Sequence, residues 1–224
     1  TKSPEPKQMS TILSSKDVRV DAQGRCSLAH KSLRHIPFAI IGGKRASQIT
    51  ELDLSFNYLT DLPNLDWFPN LRSLGVDNNR LQSNSNFNSG KALPNLELLW
   101  VNGCHIKHLA VWIDKIAACC PNLKMFSMLK NHACPNFFNG GTVQQYNDYR
   151  LFVLSRLRKL TVLDSTPVTE EERREAIEQY GDLKIEPKLV QLRQKQKRQQ
   201  QQQQQQQLAS GGNVDDDDND DGLT

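Results

Sequence analysis

No stretch of the 224 residues approaches the run of about 18 apolar residues that a membrane-spanning helix needs. The opening TKSPEPKQMS has neither a basic start nor an apolar segment behind it, so it does not read as a secretory signal. It also lacks an initial Met, which leaves open whether residues precede it. Cysteine is sparse and odd in number (Cys26, Cys104, Cys119, Cys120 and Cys134), with no Cys-x-x-Cys pair. That pattern argues against a disulfide framework and for reduced, packed thiols in a cytoplasmic protein. Cys104-His105-x-x-His108 has the look of metal-ligand spacing, but nothing nearby completes a structural zinc site, and no metal is expected. Gly42-Gly43-Lys44 lacks the flanks of a phosphate loop, and no nucleophile elbow or dinucleotide fingerprint occurs. The expectation is a chain that is not an enzyme and holds no cofactor.

A strong excess of either charge is also missing. The net charge is +3, without the dense basic stripe of a nucleic-acid module, so direct contact with nucleic acid is not expected. Hydrophobic residues make up only 37%, and the deficit sits at the C-terminal end. Nine consecutive Gln and the run DDDDNDD cannot bury a core. Residues 1–17 therefore read as a flexible segment, 18–180 as the folded domain, and 181–224 as a disordered tail. The acidic run with Asp220, Asp221 and Leu223 is either a solvated tail or a short linear motif for a basic groove.

What the chain does have is a repeat. ITELDLSFNYL (Ile49–Leu59) follows the pattern LxxLxLxxNxL and returns as LRSLGVDNNRL, LELLWVNGCHI and LKMFSMLKNHA. A weaker copy ends CSLAHKSL, and a truncated one reads LTVLD (Leu160–Asp164). The Asn slot holds Lys31, Asn57, Asn79, Cys104 and Asn131, at intervals within the period of about 20–29 residues of leucine-rich repeats. The fourth and sixth places should point inward from a short parallel strand, and Cys104, filling a turn slot, should pack. The fold expected is an α/β leucine-rich repeat solenoid, a short curved parallel sheet with a C-terminal cap.

The connections differ in character. AVWIDKIAACC suggests a helical back face ending before Pro121. SNSNFNSGK (Ser83–Lys91) is polar and irregular and reads as an exposed loop. Tyr146, Tyr149, Phe152, Val153 and Leu157 mark one face of a capping helix. Thr169 with Glu172 forms a capping box for a second helix, which should stop at Gly181.

Places three, five, seven and eight of each repeat should face the concave side. In the first three copies those residues are polar or small, apart from Phe56. The next two place Leu98, Trp100, Met125 and Leu129 together there. An apolar patch with a central Trp is a hot-spot pattern for a protein partner. The alternative is that the cap or the tail folds over it.

ACPN (Ala133–Asn136), followed by YRLFVL (Tyr149–Leu154) and VTEEERREA (Val168–Ala176), resembles the short leucine-rich proteins grouped with the U2 snRNP A′ protein, and within them the melanocyte-associated branch. The resemblance spans roughly Leu33–Ala176. It implies a non-enzymatic, monomeric adaptor in the cytoplasm, connected with traffic to lysosome-related organelles and with Rab-family small GTPases or a trafficking complex. Organelle membranes would be reached through partners. The snRNP members imply the alternative, a nuclear ribonucleoprotein assembly subunit.

Overall fold

The computed structural model describes residue 14, residues 17–136 and residues 139–181. Most of the N-terminal segment and the whole Gln and Asp tail, with Asp220, Asp221 and Leu223, lie outside the described residues. Each repeat contributes one three-residue strand: β1 (Arg25–Ser27), β2 (Glu51–Asp53), β3 (Ser73–Gly75), β4 (Leu98–Trp100) and β5 (Met125–Ser127). With β6 (Val162–Leu163) they pair in parallel in chain order, and β7 (Thr166–Pro167) closes antiparallel on β6. The chain folds as a leucine-rich solenoid.

The repeat pattern forces this register. Cys26, Leu52, Leu74, Leu99, Phe126 and Leu163, all at the fourth place, are aligned strand partners and buried. Leu28, Leu54, Val76, Val101 and Met128, at the sixth, form a second buried column. Successive strand side chains alternate faces, so the fifth place stays on the open side. Asn79 serves as a rung between coils. Its amide donates to the carbonyls of Leu54 (3.0 Å) and Val76 (2.8 Å), and its oxygen accepts from the Leu59 N–H (2.9 Å). Asn57 and Asn131 repeat that arrangement. Cys104 fills the slot in the fourth repeat, buried, with its sulfur 3.6 Å from the Val76 carbonyl. Burial raises its thiol to about 11 and that of Cys134 to about 12.

The eighth place has a conformation of its own. His30, Phe56, Asn78, Gly103 and Lys130 all have φ between +54° and +61°, where the chain leaves the strand. Glycine is required only at Gly103, whose added Cβ would meet Asn78 Oδ1 at 2.5 Å.

The back of the solenoid is built from α1 (Phe38–Ile41), short 3-10 turns and α2 (Leu109–Cys119). Trp112, Ile113, Ile116 and Cys119 line the buried stripe of α2, whereas Val111 falls off that stripe and is exposed. The Ser83–Lys91 segment is not the exposed loop that its polarity suggests. Ser83, Ser85, Phe87 and Asn88 are buried, and the Phe87 ring meets Trp112 edge-on at 6.0 Å.

The cap consists of α3 (Val143–Arg156) and α4 (Glu170–Tyr180), each opened by a capping box, Thr142/Gln145 and Thr169/Glu172. Gly181, at φ +72°, ends α4. Between them, directly after β6, Asp164 turns into the core, and its side chain takes the acceptor place beyond the end of that short strand. Its Oδ1 accepts the Met128 N–H (2.9 Å), and its Oδ2 accepts the Tyr149 hydroxyl (2.7 Å). Burial holds the Asp164 carboxyl above the ordinary aspartate range, against the pull of those donors. A carboxyl that binds its proton more tightly when folded adds stability at low pH. It loses that contribution as pH rises from the ordinary aspartate range through its raised value. Asp164→Asn cannot titrate, so the stability of wild type relative to this variant is expected to fall as pH rises from about 4 to 7. Urea unfolding of both proteins across that range is the measurement. A flat difference, or one that grows with pH, contradicts the assignment.

Candidate functional site

Parallel strands about 4.8 Å apart turn the open face into a grid of rows. The third-place row reads Arg25, Glu51, Ser73, Leu98 and Met125; the fifth-place row reads Ser27, Asp53, Gly75, Trp100 and Ser127. Leu98 and Met125 are direct strand partners, Trp100 stands beside them on β4, and Leu129 follows β5. These four are therefore brought together, each half-buried rather than fully exposed.

Phe56 does not join them. It is half exposed and stacks on His30 at 4.3 Å, in the left-handed turn beyond β2. The eighth place belongs to the rim of the sheet, not to its floor.

The polar half of the face carries no motif of its own in the sequence. Asp77 Oδ1 accepts the Asn102 N–H at 2.7 Å, and its Oδ2 accepts from Asn102 Nδ2 at 3.2 Å. The Asn102 side-chain oxygen in turn accepts from the Ser127 hydroxyl and the Leu129 N–H, both at 2.7 Å. This relay crosses three coils and holds the backbone N–H groups of Asn102 and Leu129, just beyond β4 and β5. Burial raises the Asp77 carboxyl. The Asn102 donors pull it down, the neighbouring Asp53 charge raises it further, and Lys130 lowers it. Asp53 and Asp77 stand at the fifth and seventh places of their repeats, where the pattern marks them only as polar.

The two halves meet in an open cleft of about 420 Å3, with Trp100 on one side and Asp53 and Asp77 among its other walls. Its floor is Ser73 and Gly75. A larger cleft of about 610 Å3 lies between the start of α2 and α3, where Leu109, Pro135, Phe152 and Tyr180 line it. None of the residues singled out on the open face lines that second cleft.

A family model described as leucine-rich repeat matches residues 32–210. The human leucine-rich melanocyte differentiation-associated protein is 36% identical over 131 residues, 56% of this chain and 65% of that protein. The U2 small nuclear ribonucleoprotein A' of Arabidopsis thaliana is 31% identical over 144 residues, 64% of this chain and 53% of that protein. The matches thus span less than two thirds of either relative. In the crystal structure of the Drosophila melanogaster SNF/U2A' complex, a chain matches with a TM-score of 0.55 at 20% identity. It covers 75% of this chain and 94% of its own length, a likeness of fold. These relatives are the group to which ACPN and YRLFVL point. The buried columns, the Asn rungs and the matched span agree: the chain belongs to the leucine-rich repeat family.

Proposed function

We propose that this chain is a non-enzymatic adaptor that holds a protein partner on its concave face. The observation that carries this reading is Trp100, a half-buried indole forming the wall of an open cleft beside Leu98 and Met125. Aromatic side chains in such settings dominate the energetics of protein interfaces. The relay through Asp77, Asn102 and Ser127 supports it, because a preorganised face loses little freedom on binding.

The setting proposed first is organelle trafficking in the cytoplasm, with a Rab-family small GTPase or a trafficking complex as partner. The likeness to the human melanocyte differentiation-associated protein speaks for it. The second setting is a nuclear ribonucleoprotein assembly, favoured by the likeness to U2 small nuclear ribonucleoprotein A'. Copurification with snRNP proteins would select the second, and copurification with a small GTPase the first. The tail with Asp220, Asp221 and Leu223 is proposed as a separate linear motif of the same adaptor.

Trp100→Ala tests the face directly. Partner affinity is expected to fall by about 2 kcal/mol, roughly thirtyfold, with the thermal midpoint unchanged. Unchanged binding with a lowered midpoint would make Trp100 a packing residue and overturn the reading.

A further inference from the structure

The cleft on the open face exists because Gly75, the last residue of β3, has no side chain. Asp53, Gly75 and Trp100 stand in register on adjacent strands. The carboxylate and the indole are therefore two strand spacings apart, about 9–10 Å, with nothing rising between them. Gly75 is not held there by its backbone, since it is absent from the glycines with positive φ. A Cβ at this position would make only ordinary contacts, 3.4 Å from Asp53 Oδ1 and from Ser55 Oγ. What glycine provides here is space.

The carboxylates around that space are oriented but not neutralised. Asp53 Oδ1 accepts the Ser55 N–H (2.9 Å) and its Oδ2 the Ser27 hydroxyl (3.1 Å), while Asp77 is held by Asn102. All of these donors are uncharged. Glu51, the third acid of the cleft, is taken up by Arg25 at 3.2 Å. Among the described residues neither Asp53 nor Asp77 forms an ion pair. The cleft thus holds two carboxylates and an indole: Asp53 across Gly75 from Trp100, and Asp77 two residues beyond Gly75.

A flat cation can meet the ring with its face and a carboxylate with its edge. A guanidinium stacks on an indole and directs a fork of N–H groups edge-on to carboxylates. A lysine ammonium can meet the charges but offers no plane to cover the ring, and an apolar side chain would leave both acids without an ionic partner. We infer that the slot over Gly75 receives an arginine side chain of the partner that docks on this face. The inference rests on the protein-binding reading above and names what the partner must present.

The test uses the full chain and N-acetyl-arginine amide as probe, followed by NMR at the Trp100 indole N–H, which Trp100→Phe identifies. A saturable shift is expected. It should be at least tenfold weaker with N-acetyl-citrulline amide, which has the same length without the charge, and weaker with N-acetyl-lysine amide. Asp53→Asn keeps an acceptor for Ser55 and a partner for Ser27, and should lower arginine affinity at least fivefold and flatten its salt dependence. Gly75→Leu should abolish the shift by filling the slot. Equal response to citrulline or lysine, or no effect of Asp53→Asn, overturns the arginine assignment. The titration needs no partner, so it separates this inference from the docking reading. Partner binding lost in Trp100→Ala but intact in Asp53→Asn leaves docking standing and rejects the arginine slot. Partner binding intact in both rejects docking.

Discussion

Arg150→Ala is expected to destabilise the protein by about 3 kcal/mol, the low end of the cost of half-breaking a buried ion pair, because Glu172 is only part-buried. Arg150 is 4% exposed and lies where α3, the last strands and α4 meet. Its Nε donates to Glu172 Oε1 (2.6 Å) and one terminal nitrogen to Oε2 (3.1 Å), a bidentate pair. The same guanidinium donates to the carbonyls of Leu163 (3.0 Å) and Pro167 (3.4 Å), so it also closes the end of the sheet. Burial alone would raise the Glu172 carboxyl, yet its hydrogen bonds with Arg150 and Thr169 bring it below the usual glutamate range. Alanine removes all of these donors and leaves Glu172 and the Leu163 carbonyl without them. Urea unfolding is the measurement. In the double variant Arg150→Met with Glu172→Leu, no orphaned charge remains, and the loss should return in part, less the contribution of the capping box that Glu172 completes at α4. A cost below about 1 kcal/mol for Arg150→Ala would mean the cap does not depend on this clamp.

The fold was legible because the repeat writes the same physics several times. Leu54, Val76 and Val101 each recur two residues after a fourth-place Leu, and Asn57, Asn79 and Asn131 mark each turn. The Ser83–Lys91 segment was misread because small polar residues can be buried when their hydrogen bonds are met. The Ser83 hydroxyl accepts the N–H groups of Lys107 (2.9 Å) and His108 (2.8 Å), and Ser85 bonds the Thr60 carbonyl (2.5 Å). Lys115 reaches the Ser83 carbonyl from α2 (3.3 Å). Composition cannot reveal partners so far away in sequence.

The site was half legible for a related reason. Trp100 and Leu98 carry a signal of their own, apolar bulk at a solvent-facing place. Gly75 carries none, and its meaning appears only when Asp53 and Trp100 are set beside it by strand pairing. Asp164 escaped notice because α3 stretches the last coil, so that its contact with Ser127, at 3.3 Å, spans 37 residues and breaks the period. The eighth place of the repeat puts Phe56 on the concave side in sequence, whereas the chain there has already turned left-handed and carries it to the rim.

Leu54→Ala should cost about 2–5 kcal/mol, the range for emptying a fully enclosed leucine site. Leu54 is 0% exposed and sits in the sixth-place column between Leu28 and Val76, both also 0% exposed. The site cannot collapse easily, because the backbone around it is fixed on both sides. The Leu54 N–H donates to the Gly75 carbonyl (2.7 Å), and the Leu54 carbonyl accepts from the amides of Asn57 (2.8 Å) and Asn79 (3.0 Å). Those rungs tie neighbouring coils together, so the loss should be felt along the stack and unfolding should remain one transition. For a domain of this size each kcal/mol lowers the thermal midpoint by roughly 2–4 °C, so a drop of about 5 °C or more is expected. Ser47→Ala, at an exposed position whose hydroxyl caps only a local turn, is the control and should stay within about 0.5 kcal/mol. A Leu54→Ala cost no larger than that control would show that the sixth place does not face the core. The grid of rows that places Gly75 between Asp53 and Trp100 would then fall with it.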